Sequence, residues 1–453
     1  MDNVAITILN QGIELHRAGN LTEAATRYNQ ILNREPDNPG VLYLLGDIAV
    51  RQGCNGIGIN LLSNSINSKP SVEAYTALGV AYRHENYYDL AEAAWREGLK
   101  LQETPELFNN ISSIYSDHGQ PDKALGLANK SLELAPGNPN AMWNKSLALL
   151  TKQEWPEAWN LHECRFNSEV QSISTRRNLD CPIWNGEHVG HLALHGEQGL
   201  GDEIMFMSMV GEALQRCDRM SIEVEPRLMD LVQRSFPQVT VYGNESALRK
   251  WGAPFDAVCP LGSLGLFFRQ STADFHDRSY LTPDPERVEY WRRQFAMQGP
   301  RPFIGVAWQG GSKETRIQQR TVGAANLAFC KRGTAVSLQY GEHAQLTAVQ
   351  NGYLYYPESA GKDIDDLAAM AAACDMVVTV AQTLVHVAGA IGVPAHVLTP
   401  LHSSWRYGMG DTMPWYGSVV LHRQRKADDW AHPLAEAKKA VDKLCRELSN
   451  ANQ

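Results

Sequence analysis

The sequence predicts an α plus α/β protein, in which a helical repeat array precedes a region built on two parallel sheets. Three observations carry this expectation. A pattern with a period of about 34 residues runs through the first third of the chain. Beyond residue 190, short apolar runs alternate with stretches of helical periodicity, as in a parallel sheet covered on both faces. The stretch His195-Gly196-Glu197-Gln198-Gly199-Leu200-Gly201-Asp202-Glu203 reads as the end of a strand, a glycine loop and the start of a helix. Its glycines let backbone approach a ligand closely. The helix start offers unpaired N–H groups, with one carboxylate, Asp202, at the junction. Alone, such an acid also fits a simple helix cap.

The repeats are read from small and large residues in phase. Gly12, Ala24, Tyr28 and Pro36 make the first unit, and Gly46, Gly58, Leu62 and Pro70 the second. The third has Gly79, Tyr82, Ala91 and Trp95, and the fourth Tyr115, Ala124 and Pro136. A fifth, ending near Arg165, carries Trp143, Ala158 and Trp159. Small residues suit points where two helices touch, bulky ones fill the space between units, and prolines mark where a second helix stops. One unit cannot bury its own apolar face, so units stack. Residues 1–165 resemble tetratricopeptide repeats, which implies a concave surface for a protein or peptide partner. Asn109 and Asn110 are candidates for gripping peptide backbone there; a purely architectural role for the array is the alternative.

Composition bounds the rest. The 453 residues leave room for roughly two or three domains. A hydrophobic share of 43% with 20% charged residues is that of an ordinary globular chain. The net charge of −9, with no basic run, argues against a nucleic-acid partner. The eight cysteines are scattered without a C-x-x-C pair, which favours reduced thiols over disulfides or a zinc site. The N-terminus lacks the basic flank of a signal peptide, and no apolar run is long enough for a membrane span, so a cytoplasmic location is expected.

Residues 166–190, with Pro182 and Gly186, read as a linker. Strands are expected at Leu192–Leu194, Ser221–Val224, Val239–Tyr242 and Ala257–Cys259, with helices at Ile204–Leu214 and Arg227–Arg234. The pattern restarts at Gly299–Pro302. Strands are then expected at Phe303–Trp308, Ala335–Leu338, Met376–Val380 and His396–Thr399, with helices at Asp365–Ala373, Leu384–Ile391 and Leu434–Leu448. Two Rossmann-like halves, 191–298 and 299–453, leave a crevice between them, where open α/β sheets bind ligands. The acidic run Asp363-Ile364-Asp365-Asp366 precedes a helix and is read as capping it.

Several enzyme classes fail on spacing. The loop is Gly196-x-x-Gly199-x-Gly201 rather than a dinucleotide fingerprint, and no Walker lysine follows it. There is no G-x-S-x-G elbow. No His/Glu pair has metal-ligand spacing on a helix, so no metal site is expected.

The loop Glu197–Asp202, the preceding Pro182-Ile183-Trp184-Asn185-Gly186 and the later Val385–Pro394 resemble bacterial tetratricopeptide-repeat proteins with a heptosyltransferase-like domain of glycosyltransferase family 9. That resemblance implies a GT-B fold, with the second half holding the donor. It implies a metal-independent, inverting glycosyltransferase with no cofactor, a nucleotide-diphosphate sugar as co-substrate, and Asp202 as general base. It places phosphate contacts at Lys313, Arg316 and Arg320 in the basic segment Trp308–Thr321. Gly199, Gly201, Thr383, His386 and Arg406 are further donor-site candidates. The chain departs from the family at Ala381-Gln382, where an Asp-Thr pair is common; Gln382 is then the candidate for bonding sugar or phosphate. The segment Ser404–Gly408 with Met413–Tyr416 is rich in aromatic groups around Arg406, suiting a ring plus a phosphate or, alternatively, packing at a hinge. Two other functions stay open: a non-catalytic repeat adaptor with a degenerate domain, and a transferase for polysaccharide or lipid-linked acceptors.

Overall fold

The computed structural model describes residues 3–451 except 168, 171–173, 253, 312–316, 342 and 358–362. Packing divides the chain into two units, Met1–Lys145 and Ser146–Gln453.

The first unit is a solenoid of antiparallel helix pairs: Asn3–Arg17 with Leu21–Leu32, Pro39–Arg51 with Asn55–Ser68, Val72–His84 with Tyr88–Leu101, and Pro105–Asp117 with Pro121–Leu134. The small-against-large rule is visible atom by atom. A Cβ on Gly12 would lie 2.5 Å from the Tyr28 ring, one on Gly46 would lie 2.6 Å from Leu62 Cγ, and Gly79 faces Trp95 just as closely. The fourth pair has Ser112 there, whose hydroxyl donates to Ala124 O at 2.7 Å. Pro36, Pro70 and Pro136 each fall just beyond the second helix of a pair.

The second unit is α/β. Strands β1 (Val189–His195), β2 (Cys217–Glu223), β3 (Thr240–Tyr242) and β4 (Ala257–Pro260) form a parallel sheet in the order β3-β2-β1-β4. Strands β5 (Phe303–Ala307), β6 (Thr334–Ser337), β7 (Met376–Val380), β8 (Ala395–Thr399), β9 (Thr412–Met413) and β10 (Tyr416–Arg423) form a second sheet in the order β6-β5-β7-β8-β10-β9. Only β9 runs antiparallel there. Ile304, Val306, Val378 and Leu398 are fully buried in the core beneath this sheet, where Ala437 and Val441 of the closing helix Ala431–Ala451 join them. Among the described residues, no helix is long and apolar enough to cross a membrane.

Where this differs from the sequence expectation, packing is the reason. The period carries the array to Arg165, but the helix Trp155–His162 belongs to the α/β unit. Its Trp155 and Trp159 lie in an aromatic cluster with Phe206, Phe275, Trp405 and Trp415. Trp159 Nε1 donates to Arg269 O at 2.8 Å, and a Cβ on Gly265 would come within 2.6 Å of the Trp159 ring. The linker is partly structural, since Ile183 bridges to Val258 beside β4. The helix expected at Ile204–Leu214 is instead the helix Leu200–Phe206, a 3-10 turn and a short helix Val210–Ala213. The helix Pro285–Gln298, before the restart at 299, packs on the helix Ile364–Ala373, with Trp291 Nε1 donating to Asp366 at 2.7 Å. The expectation for Asp363 holds: its carboxylate accepts the backbone N–H of Asp365 and Asp366, at 2.9 and 3.3 Å.

A chain spanning 139–453 is expected to fold cooperatively, whereas one spanning 167–453 loses Trp155, Trp159 and Arg165 and is expected not to. Burying a Trp stabilises by about 3–5 kcal/mol against Ala. Urea unfolding followed by circular dichroism checks this; a cooperative transition for 167–453 contradicts it.

Candidate functional site

In a doubly wound sheet, the crevice opens where neighbouring strands send their connections to opposite faces. In the first sheet that place is between β1 and β4, and the glycine loop leaves β1 there. Glu197 turns down under the loop. Its carboxylate accepts Nε and Nη2 of Arg165 at 2.7 and 2.6 Å and the N–H of Gly262 at 2.9 Å. Burial pushes the Glu197 carboxyl up, but Arg165 outweighs this and holds it below the usual range. Gln198 sits at φ 62°, a conformation that costs a non-glycine residue energy and that recurs at functional sites. Gly199 then caps the helix Leu200–Phe206, and Asp202 accepts the Gly199 N–H at 3.3 Å.

In the second sheet the switch lies between β5 and β7, and the loops leaving them are again the singled-out segments. They touch: a Cβ on Gly310 would lie 2.6 Å from Ala381 O. Gln382 precedes the helix Thr383–Ile391 with no side-chain cap of its own. Its Nε2 donates to Thr379 Oγ1 at 3.1 Å, and its buried Oε1 has no partner among the described residues.

The two halves meet at these loops. Arg406 pairs with Asp202 through Nε and donates from Nη2 to Gln198 Oε1 at 3.1 Å. Gly201 allows the closest approach of the helices, since a Cβ there would lie 2.9 Å from the His386 ring. His386 is buried, and its Nδ1 is 3.1 Å from the Tyr416 hydroxyl. Burial holds the His386 imidazole down at about 4, partly offset by Asp202, so the ring is neutral near pH 7. Tyr407 is pushed up to about 12 by burial, with Arg320 the leading opposing charge, which puts Arg320 in reach of this cluster.

Beside it lies a cavity of about 190 Å³ lined by Leu200 and Arg227 of the first half and by Leu338, Tyr340, Ile364, Leu367, Thr383 and Leu384 of the second. It adjoins the residues just beyond the carboxyl ends of β6 and β7. A larger cavity, about 590 Å³, is lined by Arg292, Arg293 and Arg301 and lies at the amino end of β5. Open α/β sheets bind ligands at carboxyl ends, so the smaller cavity is the candidate.

Gly199, Gly201, Asp202, Gln382, Thr383, His386 and Arg406 thus come together, with Arg320 close by. Lys313 and Arg316 lie outside the described residues. His386 contributes as a neutral buried ring at the helix contact. Asn109 does not stand free: Asn144 Nδ2 donates to its side chain at 2.8 Å. The sequence reading missed Gln198 as a partner of Arg406, the Arg165–Glu197 pair, and Arg227 and Tyr340 at the cavity. Arg227 carried a signal, lying two residues after Glu225 in the turn just beyond β2. The Arg165–Glu197 pair carried none, because its residues are far apart in sequence. Among the described residues, no group of three or more His, Cys, Asp or Glu is placed to hold a metal ion.

Residues 9–53 and 72–105 each match a tetratricopeptide-repeat family. The amino-terminal region carries tetratricopeptide repeats. The chain is 26% identical over 479 residues to protein FlbA of Caulobacter vibrioides, a match covering 90% of this chain and 79% of that protein. It therefore runs through most of the α/β unit as well as the repeats. Photosystem I assembly protein Ycf3 of a Synechococcus is 35% identical over 81 residues, 17% of this chain and 47% of that one. Among solved structures, MamA (23% identity, TM-score 0.31) covers 36% of this chain and 92% of its own. YrrB, described as a tetratricopeptide-repeat protein with an unusual peptide-binding site, has 18% identity and a TM-score of 0.31, and covers 36% and 85%. The repeats suggest a protein-interaction role for residues 1–145.

Beneath the loop, burial raises the Glu203 carboxyl to about 7, opposed by the Glu225 N–H it accepts at 2.9 Å and reinforced by Glu223 and Glu225. The folded protein thus keeps a proton that the unfolded chain releases near pH 4.5, and stability falls as pH rises from there through about 7. Glu203→Gln is expected to stabilise the protein by on the order of 2 kcal/mol at pH 8 and by little at pH 5. Urea unfolding at both pH values checks this; an equal effect at both contradicts it.

Proposed function

We propose that the chain is a GT-B-type glycosyltransferase that moves a sugar from a nucleotide-diphosphate donor to a protein bound by its tetratricopeptide repeats. The observation that carries this reading is the meeting of Asp202, at a helix start of one half, with Arg406, from a loop of the other, beside a cavity between the halves. The apolar walls and Tyr340 suit a nucleotide base. The diphosphate sits at the N–H groups opening the helix Thr383–Ile391, with Arg406 and Arg320 balancing its charge. Asp202 takes the proton of the acceptor hydroxyl as it attacks the sugar's anomeric carbon, and the nucleoside diphosphate departs. The unpartnered Oε1 of Gln382 accepts a hydroxyl of the donor. The repeats raise the local concentration of the protein acceptor.

A second reading has its own observation. Asp202 accepts from both Gly199 and Arg406, so each carboxylate oxygen is already engaged. A base so occupied fits an adaptor that binds a nucleotide without turning it over.

Asp202→Asn separates the two. As a transferase, the variant keeps its circular-dichroism spectrum and loses a factor of about 10²–10⁴ in donor turnover; unchanged turnover makes Asp202 a cap only. Chelator is expected to leave transfer unchanged, since the reading places positive side chains and helix starts at the leaving group; strict dependence on added manganese or magnesium overturns that. Removing residues 1–138 is expected to preserve donor hydrolysis and abolish modification of protein in a cell extract. Equal modification by the shortened chain means that the repeats do not select the acceptor.

A further inference from the structure

Arg406 reaches Asp202 from a loop rather than from a strand or a regular helix, so something must hold that loop. The loop runs from Pro400, after β8, to Asp411, before β9. Trp405 anchors it on one side by packing into the aromatic cluster. The other anchor is Arg423, the last residue of β10. Its Nη1 donates to Ser403 Oγ at 2.8 Å. Its Nη2 lies within hydrogen-bond distance of three carbonyls, Tyr407 O at 3.2 Å, Gly408 O at 3.1 Å and Gly410 O at 3.0 Å. Gly408 has φ 57°, which turns its carbonyl out of the helical direction.

The choice of residue is informative. Arg423 is half-buried and, among the described residues, makes no carboxylate contact within ion-pair distance; burial disfavours its ionised form and holds it below the usual arginine range, with Asp411 partly offsetting this. A cation in that setting is costly unless its donors are used. The planar guanidinium spends Nη1 and Nη2 on several acceptors in one rigid geometry, which the point charge of a lysine does not reproduce, while Nε has no partner among the described residues. Every acceptor it uses lies within Ser403–Gly410, and Arg406 sits in the middle of that span.

We infer that Arg423 is a positioning residue that fixes the 403–410 loop so that Arg406 meets Asp202 and Gln198 across the crevice. It acts through Arg406 and does not itself touch ligand. This inference rests on the proposed nucleotide-diphosphate site for its functional consequence but not for its structural one, and the test reads the two separately.

The experiment uses the full-length chain and the variants Arg423→Lys, Ser403→Ala, Arg406→Lys and Arg423→Lys/Arg406→Lys. Hydrogen exchange is expected to accelerate at 400–411 in Arg423→Lys by about tenfold or more, as for the loss of one or two charge-assisted hydrogen bonds. It is expected to accelerate less in Ser403→Ala and to stay unchanged in β5 and β7 in both. Uniform acceleration through the second sheet, or none at 400–411, overturns the positioning role. Titration with uridine diphosphate and with guanosine diphosphate supplies the second readout. For whichever binds the wild type, Arg423→Lys and Arg406→Lys are expected to weaken binding by similar factors, and the double variant no more than either. Multiplying losses in the double variant mean that Arg423 acts independently of Arg406 and overturn the inference. If neither diphosphate binds the wild type, the nucleotide reading fails while hydrogen exchange still decides the role of Arg423. If Arg423→Lys does not fold, Ser403→Ala, which keeps the charge, decides by the same exchange criterion.

Discussion

The buried pair of Arg165 and Glu197 is what the rest of the α/β unit leans on. Both side chains are inaccessible to solvent, and the guanidinium also reaches Ser263 and Glu163. Removing one partner of such a pair leaves a stranded charge and costs about 3–5 kcal/mol. Here the pair does more than hold two elements together. Glu197 is the second residue of the glycine loop, so the ion pair fixes where the loop begins its turn. The left-handed backbone of Gln198 follows, and then the cap at Gly199 that aims Asp202 into the crevice.

The same logic runs on the opposite wall. Arg423 gathers the 403–410 loop from below, Trp405 locks it from the side, and Arg406 is carried to the seam. Two loops, one held by the buried Arg165 and the other by the half-buried Arg423, meet through the Arg406–Asp202 ion pair and the Arg406–Gln198 hydrogen bond, while Gly201 and His386 bring the neighbouring helices together. The neutral, buried His386 fits that arrangement, since a charged ring at the helix contact would be expelled by its apolar surroundings.

The helix Trp155–His162 shows how repeat and α/β sequences are joined. By period it continues the array, and its Ala158 sits where a repeat needs a small residue. By packing it is a wall of the α/β unit, because Trp155 and Trp159 are buried among Phe206, Phe275 and the two tryptophans near Arg406. Sequence periodicity reports how an element is built; the contacts decide which core it serves.

Much was legible from the chain alone. The glycine phase of the repeats, the alternation that makes parallel strands and the Asp363 cap all follow from local rules that neighbours in sequence satisfy among themselves. So did the loop that leaves β1, since three glycines before a helical run have few other uses. What only the tertiary structure decided are the relations between distant residues. Asp202 faces Arg406 across more than two hundred residues of chain, Glu197 finds Arg165, and β10 takes its place beside β8 although the sequence pattern predicted no strand there. Side-chain type restricts such partners, but burial chooses among them, because a charge removed from water must be met by whichever opposite charge the fold brings within reach.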